Sequence, residues 1–318
     1  MSIPQLSIVS VNDLAQRLRI DPKKLRHIAA HAGDYYKPFK QRKKPKPFAK
    51  KSKPAKVREI DNPSELLKTI QRRICDNLLC GVPWPEHVFG GIKERNTVKN
   101  AKLHLGNEKL VTIDIRSYFP SISNKVIYDI WFRFLGCGSE VSAMLTQLTT
   151  FRRRLPQGAP TSTALANLVL ISIDGELVEF CRQNSITYTT WVDDLAFSGE
   201  NAELALEKAI SSLRRAGLRV ARNKVKVMRG SKPQILMNQT LNNSMGVNKI
   251  YRSNVRSAIN KLVTHPPLNL KEQFASINSK IRYVDTINKN QARALTKNLN
   301  STLNRIKNSS LSPYTKAI

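Results

Sequence analysis

The sequence predicts an α+β fold, and three observations support this class. Amphipathic patterns with helical spacing recur along the 318 residues, and short β-prone apolar runs stand between them. A strand, a helical region and a strand–turn–strand unit follow one another in β-α-β-β order between residues 110 and 198. The chain is 41% hydrophobic and shows no internal repeat, which indicates a globular protein rather than a disordered or solenoid one.

The chain carries a strong excess of positive charge. Lys and Arg total 53 against 23 Asp and Glu, which gives a formal net charge of +30. Such an excess predicts a polyanionic partner. Nucleic acid is favoured over a membrane surface, because the sequence contains no long apolar span and its start lacks the pattern of a signal peptide. We therefore expect a cytoplasmic protein that binds nucleic acid and no membrane.

The cysteine pattern indicates neither a disulfide framework nor a zinc site. Cys75, Cys80, Cys137 and Cys181 show no Cys-x-x-Cys spacing and are not accompanied by paired histidines. We interpret all four as reduced packing residues, in keeping with a cytosolic protein.

The first 58 residues combine a helical element with a basic segment. Residues 10–32 have the apolar spacing of two short helices, which form either a packing element, the favoured interpretation, or a helix-turn-helix that binds DNA. Residues 37–58 contain eleven Lys or Arg, four prolines and no acid. Such a run cannot bury a core, and residues 56–60 alternate like a strand. We therefore predict a phosphate-binding loop rooted in a hairpin, with a merely solvated basic face as the alternative.

Helical and extended patterns alternate after residue 62. Ser64 is the predicted N-cap of a helix whose apolar stripe is Leu66, Leu67, Ile70, Ile74, Leu78 and Leu79. Residues 86–110 have an irregular pattern, and residues 110–115 form a predicted strand. Two helices are predicted over 124–150, and one long helix from 161 or 162 to 183. A helix over 202–216, a short strand over 218–220, a β-ribbon over 233–250 and basic helices in the last seventy residues follow.

Three aspartates at strand ends are the candidate catalytic residues. Asp114 stands near the end of one predicted strand, and Asp193 and Asp194 lie at the tip of a hairpin. An acidic turn is the ordinary explanation for an isolated Asp-Asp pair. A β-α-β-β order, however, brings all three carboxylates to one sheet edge, where they repel each other unless they bind cations. Such a set suits two Mg²⁺ ions about 4 Å apart, which promote in-line nucleotidyl transfer.

Five motifs in a fixed order carry a resemblance to a known family. They are Arg58-x-Ile60-x-x-Pro63-Ser64-x-x-Leu67-Lys68-x-x-Gln71, Asn100-Ala101-x-x-His104, Asp114-x4-Phe119, Leu155-Pro156-Gln157-Gly158-Ala159-Pro160-x-Ser162 and Trp191-Val192-Asp193-Asp194. The last three resemble motifs A, B and C of reverse transcriptases. The first two are similar to a finger motif of retron and group II intron enzymes and to a signature of retron enzymes. The chain thus resembles, over residues 35–260, a bacterial retron-type reverse transcriptase or a related phage-defence enzyme.

The resemblance implies that Asp114, Asp193 and Asp194 are the catalytic, metal-binding aspartates, with two Mg²⁺ ions as cofactors. Asp114 and Asp193 would hold both ions, and Asp194 is usually the less direct ligand. Phe119 would lie under the incoming sugar and exclude a 2′-hydroxyl by its bulk. The product would therefore be DNA rather than RNA.

The resemblance, together with the basic segment, implies which residues bind the nucleotide and which contact RNA. The expected nucleotide-binding residues are Lys56, Arg58, Phe119, Gln157, Gly158 and Lys224. The expected RNA contacts are Asn100, His104, Lys43, Lys44, Lys50 and Lys51. Arg58 and Lys56 would grip the triphosphate, and Lys224 would protonate the leaving pyrophosphate. A structural role for His104 and an ordinary surface role for Lys224 are the alternatives.

The resemblance also implies a right-hand polymerase of fingers, palm and thumb. Its expected divisions are an N-terminal helical element (1–34), fingers with part of the palm (35–110), a palm with a finger insertion (111–235), and a primer-grip ribbon with a helical thumb (236–318). The implied activity is RNA-directed synthesis of single-stranded DNA on a bound noncoding RNA, self-primed from an RNA 2′-hydroxyl, in anti-phage defence. The implied partners are this RNA template, the RNA–DNA hybrid product, deoxynucleoside triphosphates and a separately encoded effector protein.

Two departures from the family pattern leave other functions open. Trp191 stands where the family has Tyr, Phe or Ala, and residues 236–239 lack the Val-Thr-Gly element of retron enzymes. Template-independent or protein-primed DNA synthesis is therefore an alternative, as is a non-catalytic RNA-binding protein with a polymerase fold. The intact aspartates argue against the non-catalytic alternative, because clustered acids are costly without metals.

Overall fold

The structure, a computed structural model, describes residues 5–42, 57–264 and 269–307. The chain divides into two compact units. Within the described residues, the first unit comprises 5–42, 57–96 and 109–227, and the second comprises 97–108, 228–264 and 269–307. No helix in these ranges has the length and apolar character needed to cross a membrane. All four cysteines are free thiols.

The two predicted N-terminal helices are present in the first unit. Helix α1 spans Val11–Leu18 and helix α2 spans Pro22–Ala30. The Ser10 side chain caps α1 and the Asp21 side chain caps α2, each by accepting a backbone N–H of the first turn. Their apolar faces belong to the main hydrophobic core of this unit, so the pair packs against the protein as the favoured interpretation expected.

The basic segment is rooted in a hairpin, as predicted. Strand β1 (Tyr36–Arg42) pairs antiparallel with strand β2 (Val57–Pro63). Helix α3 follows over Glu65–Ile74 and continues as a π-helical turn over Cys75–Leu79.

Ser64 is the N-cap residue of this helix, as predicted, although its side chain makes no capping hydrogen bond. One detail of the helix prediction is wrong. Leu66 is 40% exposed and lies outside the buried stripe, because the stripe contains Leu67 and Ile70 and position 66 faces away from it.

Residues 86–110, whose sequence pattern is irregular, contain a helix. Helix α4 spans Thr97–Leu103 in the second unit and buries Asn100 and Ala101. Its inward face is partly polar, so apolar periodicity could not identify it. This part of the prediction is therefore corrected.

The first unit is built around a four-stranded sheet, whose first three strands in chain order pair antiparallel. Its elements in chain order are β3 (Lys109–Asp114), α5 (Tyr118–Ser121), α6 (Asn124–Asp129), α7 (Ser139–Thr149), α8 (Ser162–Ile171), α9 (Gly175–Gln183), β4 (Thr187–Trp191), β5 (Asp194–Ser198), α10 (Leu204–Arg215) and β6 (Lys226–Arg229). The strand order is β4-β5-β3-β6. The middle strands β3 and β5 bury Leu110, Val111 and Phe197. The β-α-β-β expectation is met, since β3 pairs with β5 across the intervening helices.

The predicted long helix over 161–183 is two helices. The break lies at Ser172–Asp174, between α8 and α9. Asp174 is 3% exposed and accepts hydrogen bonds from His87 Nε2 at 3.0 Å and Tyr188 OH at 3.2 Å. These two hydrogen bonds satisfy a buried carboxylate at the break. Because the donors are distant in sequence, local helical propensity does not predict the break. The strand expected over 218–220 is likewise reduced to one bridge between Val220 and Ile115.

The second unit contains the predicted ribbon and basic helices. Strands β7 (Ile235–Leu236), β8 (Gln239–Thr240) and β9 (Gly246–Val247) form a small antiparallel sheet. Helices α11 (Lys249–Thr264), α12 (Leu270–Asp285) and α13 (Lys289–Lys307) follow. Their apolar positions, including Ile259, Val284 and Leu295, form a core separate from that of the first unit. Burial of these apolar positions, rather than pairing of charges, holds the three helices together.

Candidate active site

The three candidate aspartates lie at one end of the four-stranded sheet. Asp114 ends β3 and stands opposite Asp194, the first residue of β5. Asp193 is in the turn between β4 and β5, and its carbonyl accepts a hydrogen bond from Ile115 N at 2.8 Å. Val192, the other turn residue, has a left-handed φ of +58°. The backbone thus brings together the three acids that the sequence singles out.

Burial and mutual repulsion disfavour negative charge on this cluster. Burial, followed by the charges of Asp193 and Asp114, raises the pKa of Asp194 to about 6. Burial, and then the charge of Asp114, also raises the pKa of Asp193. A cation among the carboxylates would relieve both effects. Carboxylate oxygens are the donors that hard divalent ions prefer, so this donor set fits such an ion.

The ammonium group of Lys224 forms an ion pair with one of these aspartates. Lys224 Nζ is 2.5 Å from Asp114 Oδ2. The backbone holds this lysine close, since Ala221 N donates to Asp114 O at 2.8 Å and Lys224 N donates to Ala221 O at 2.8 Å. Within the described ranges, no group of three or more His, Cys, Asp or Glu is arranged to hold a metal ion. The Lys224 ammonium offsets part of the negative charge of the aspartate cluster.

A cavity of about 310 Å³ adjoins the aspartates and gathers most of the predicted nucleotide-binding residues. The predicted residues that line it are Arg58, Asp114, Phe119, Gln157, Asp193 and Lys224. Asp194 and Gly158 are not among its lining residues. Residues from motifs far apart in sequence therefore share one recess that contains cations, carboxylates and an aromatic ring.

Phe119 is positioned by the short helix α5. The preceding Tyr118 is buried, and its OH donates to Ala166 O of α8 at 2.7 Å. This bond ties the Asp114–Phe119 segment to the helix that follows the Gln157 loop. The Phe119 ring is half-buried against the core and lines the cavity. A rigid apolar ring thus forms part of the wall beside Asp114.

Asp61, which the sequence did not single out, holds the Gln157 loop against β2. Asp61 N donates to Gln157 O at 2.9 Å, and Gln157 N donates to Asp61 Oδ2 at 3.2 Å. Asp61 is 2% exposed and lies 3.8 Å from the Arg154 guanidinium. Gly158 has a φ of +120°, and a Cβ there would be 2.9 Å from Ile60 Cγ2. The loop therefore requires glycine where it meets the strand.

Sequence reasoning missed both Asp61 and Arg154 as cavity residues. A signal for Asp61 was present in the strand alternation. Asp61 and Pro63 are the buried positions of β2, two residues apart, so they share a face. Arg154 carried no comparable signal, because it follows two other arginines in a turn.

The segment before α4 supports the Asp-Asp hairpin. Thr190 N donates to His87 O at 2.7 Å, and Phe89 N donates to Thr190 O at 2.9 Å. Asn167 is buried in α8, and its Nδ2 donates to Gly90 O at 2.7 Å. Residues 87–90 therefore connect strand β4 to α8, a role that the sequence pattern did not reveal.

The predicted RNA contacts fall in two places. Asn100 and His104 are at most 1% exposed and lie inside the second unit, and burial lowers the pKa of His104 to about 4. The structure thus places an uncharged imidazole in an interior rather than on a surface. The lysines predicted to contact RNA or nucleotide on the basic segment lie outside the described residues; they are Lys43, Lys44, Lys50, Lys51 and Lys56.

Comparison with known proteins identifies related chains. The family described as reverse transcriptase (RNA-dependent DNA polymerase) matches residues 43–283. The retron Mx65 reverse transcriptase of Myxococcus xanthus is 28% identical over 305 residues, which cover 89% of this chain and 69% of that protein. The retron Se72 enzyme of Salmonella heidelberg is 27% identical over 63% of this chain and 51% of its own length. The retron Ec86 enzyme of Escherichia coli is 28% identical over 60% and 58%.

Solved structures show a more distant likeness. The telomerase from Candida albicans has a TM-score of 0.44 and 10% sequence identity, over 79% of this chain and 52% of that chain.

Proposed function

The chain belongs to the reverse transcriptase family of RNA-dependent DNA polymerases, and from that membership we propose that it copies a bound noncoding RNA into single-stranded DNA. The observation that carries the proposal is the shared cavity, in which Asp114 and Asp193 meet Arg58, Phe119 and Gln157. A nucleotide needs all of these chemistries at once. Cations can hold its phosphates, carboxylates would hold divalent ions beside the reacting phosphorus, and an apolar wall can face its sugar.

The family depends on a divalent metal, and two Mg²⁺ ions are the form we propose here. Asp114 and Asp193 would hold the ions, and Asp194 would be the less direct ligand. When bound, such ions activate the attacking hydroxyl and stabilise the leaving pyrophosphate. With a metal bound at Asp114, Lys224 would part from that carboxylate, and its ammonium would be available to the phosphates as a proton donor.

The remaining lining residues bind the nucleotide. Arg58 is exposed on β2, so its guanidinium is accessible to the triphosphate. Gln157 and Gly158 approach the nucleotide through their loop backbone, which Asp61 holds in place. Lys56 has the same proposed role as Arg58 and lies outside the described residues.

The proposed divisions of the molecule follow the right-hand plan. Residues 1–34 are an N-terminal helical element, and 35–110 are the fingers with part of the palm. Residues 111–235 are the palm with a finger insertion, and 236–318 are the primer-grip ribbon and helical thumb. The thumb helices hold the template–primer backbone without reading its sequence.

We expect Gly90→Ala to impair DNA synthesis although Gly90 touches no substrate in this proposal. A Cβ at Gly90 would lie 2.5 Å from Val192 Cγ2 and 2.7 Å from Val192 N, so the Asp193 turn must shift. A shift on the order of 1 Å at catalytic groups lowers the rate by about tenfold to a hundredfold. Primer extension with purified protein measures the effect. Gly81→Ala is the matched control, because no atom lies within 4 Å of its added Cβ; an equal loss in both variants would contradict the argument.

The basic segment is proposed to bind RNA phosphates through Lys43, Lys44, Lys50 and Lys51. Replacing Lys43 and Lys44 by alanine should flatten the dependence of RNA affinity on salt. The log–log slope should fall by roughly 0.7–0.9 for each phosphate that the segment no longer neutralises. Filter binding over a salt series measures this slope. The double variant K23A/K24A, on the exposed side of α2, removes the same charge and should leave the slope unchanged; a slope that also stays unchanged in K43A/K44A would exclude the segment from RNA binding.

The biological setting is proposed from the relatives, which are retron enzymes. The resemblance to that group supports priming from a 2′-hydroxyl of the template RNA. It also supports a role in anti-phage defence together with a separately encoded effector protein. The positive net charge of +30 fits a chain that holds RNA throughout this cycle.

The test is to purify the protein with the nucleic acid it holds and to divide the sample between RNase and proteinase digestion. Discrete DNA released by RNase would support priming from RNA. DNA that stays with the protein after RNase would replace this proposal by protein priming. Bound RNA without DNA, even after Mg²⁺ and deoxynucleotides are added, would leave a non-catalytic RNA-binding protein.

A further inference from the structure

A second cavity adjoins Asp114 in the first unit and has a volume of about 890 Å³. It lies between the end of β3, helix α10 and the loop that leads to β6. Its polar and charged lining residues are Asp114, Arg116, Ser117, Arg214, Arg219, Arg222, Asn223 and Lys224. Five cations therefore face one carboxylate, and that carboxylate is already paired with Lys224.

The four arginines of this cavity carry uncompensated charge. Arg116, Arg214, Arg219 and Arg222 are all exposed, and none takes part in a salt bridge between residues that the structure describes. The next residue of α10 behaves differently, because Arg215 pairs with a glutamate at 2.7 Å. Clustered guanidinium groups repel each other, and a multivalent anion between them would remove the repulsion.

The backbone holds the cations in a defined arrangement. Arg116 N donates to Arg219 O at 2.7 Å, and a β-bridge joins Ile115 to Val220. Arg214 projects from the last turn of α10. The arginines thus stand on a strand end, a helix end and a bridged loop, so their convergence comes from the fold and not from one mobile segment.

This cavity shares a wall with the nucleotide pocket. Asp114, Ser117 and Lys224 line both recesses. We propose that the arginine cavity is a binding site for inorganic pyrophosphate, which reaches it from the nucleotide pocket after DNA synthesis. The choice of ligand rests on the proposed function. A forked guanidinium matches phosphate oxygens, and several such forks suit a compact anion with multiple charges.

The experiment measures the affinity of the purified full chain for inorganic pyrophosphate by calorimetry, in EDTA and without nucleotides. The double variant R214A/R219A should bind at least about fivefold more weakly than the unmodified chain, since it lacks two guanidinium donors to the anion. R214K/R219K keeps both charges but loses the forked donors, so its affinity should lie between that of the unmodified chain and that of R214A/R219A. K23A/K24A loses the same net charge elsewhere and should bind normally. Equal affinity for the unmodified chain and R214A/R219A would overturn the proposal.

Two further measurements distinguish a pyrophosphate site from a site for RNA phosphates. If R214A/R219A loses RNA affinity while its pyrophosphate affinity is normal, the cavity holds RNA phosphates and the proposal is wrong. Because calorimetry needs no catalysis, it decides the question even if the chain makes no DNA. During DNA synthesis, the pyrophosphate concentration that halves the rate should rise by about the same fivefold factor in R214A/R219A; an unchanged concentration would contradict a site on the product's route.

Discussion

Replacing Asp193 by asparagine is expected to abolish DNA synthesis while RNA binding stays equal or becomes tighter. The substitution keeps the shape of the side chain but removes a carboxylate that we assign to both metal ions. Loss of several kcal/mol of transition-state stabilisation lowers the rate by about a thousandfold or more. RNA affinity should not fall, because one negative charge is removed beside a polyanion. Primer extension and RNA titration on the same preparation measure the two effects.

The control for this prediction is Asp76→Asn, which makes the same chemical change at an exposed position outside the cavity. D76N should synthesise DNA at the normal rate. D193N should also unfold no more easily than the unmodified protein, because burial and the charge of Asp114 already disfavour the Asp193 carboxylate, as its raised pKa indicates. Persistent synthesis by D193N would show that the catalytic site lies elsewhere.

Replacing Phe119 by valine should relax the selection of deoxynucleotides over ribonucleotides. The aromatic ring lines the cavity that contains Asp114 and Gln157, where we place the sugar of the incoming nucleotide. A smaller side chain leaves room for a 2′-hydroxyl. The ratio of kcat/KM for the two nucleotide types should fall by about tenfold to a hundredfold, the range that pocket shape can supply. Single-nucleotide incorporation with matched dNTP and rNTP measures this ratio.

Phe132→Val is the matched control, since Phe132 is 41% exposed and does not line the cavity. It should leave the ratio unchanged. Phe119 is also half-buried against the core, so F119V is expected to lower the free energy of unfolding by on the order of 1–3 kcal/mol. A variant that loses stability and overall activity but keeps its discrimination would show that Phe119 is only a packing residue.

The fold class and the family were both predictable from the sequence. The α+β prediction, the right-hand polymerase fold and the resemblance to bacterial retron-type reverse transcriptases are confirmed by the family match and by the retron relatives. The hairpin with Asp193 and Asp194 was predicted from β-prone residues on both sides of a short turn. Asp114 was predicted from its place at the end of an apolar strand. These signals are hydrophobic periodicity and motif spacing, and both can be read directly from the order of residues.

The contacts that position the site were not predictable in the same way. Asp61 bonds to a loop 96 residues away, and Lys224 reaches Asp114 across 110 residues. Gly90 is required by the backbone of Val192, and Asp174 lies at a helix break where its partners are His87 and Tyr188. The strand alternation places Asp61 on the inner face of β2, but no local pattern identifies the partner of any of these residues, because each contact depends on which distant segment packs there.

The division between sequence and structure has a physical basis here. Hydrophobic periodicity and turn chemistry act over a few residues, so most of the elements, the three aspartates and the family can be inferred from the order of residues alone. Charge pairing and close packing act through space. Only the folded chain therefore reveals that Lys224 pairs with Asp114, that Asp61 holds the Gln157 loop beside the cavity, and that four arginines from separate elements line one cavity.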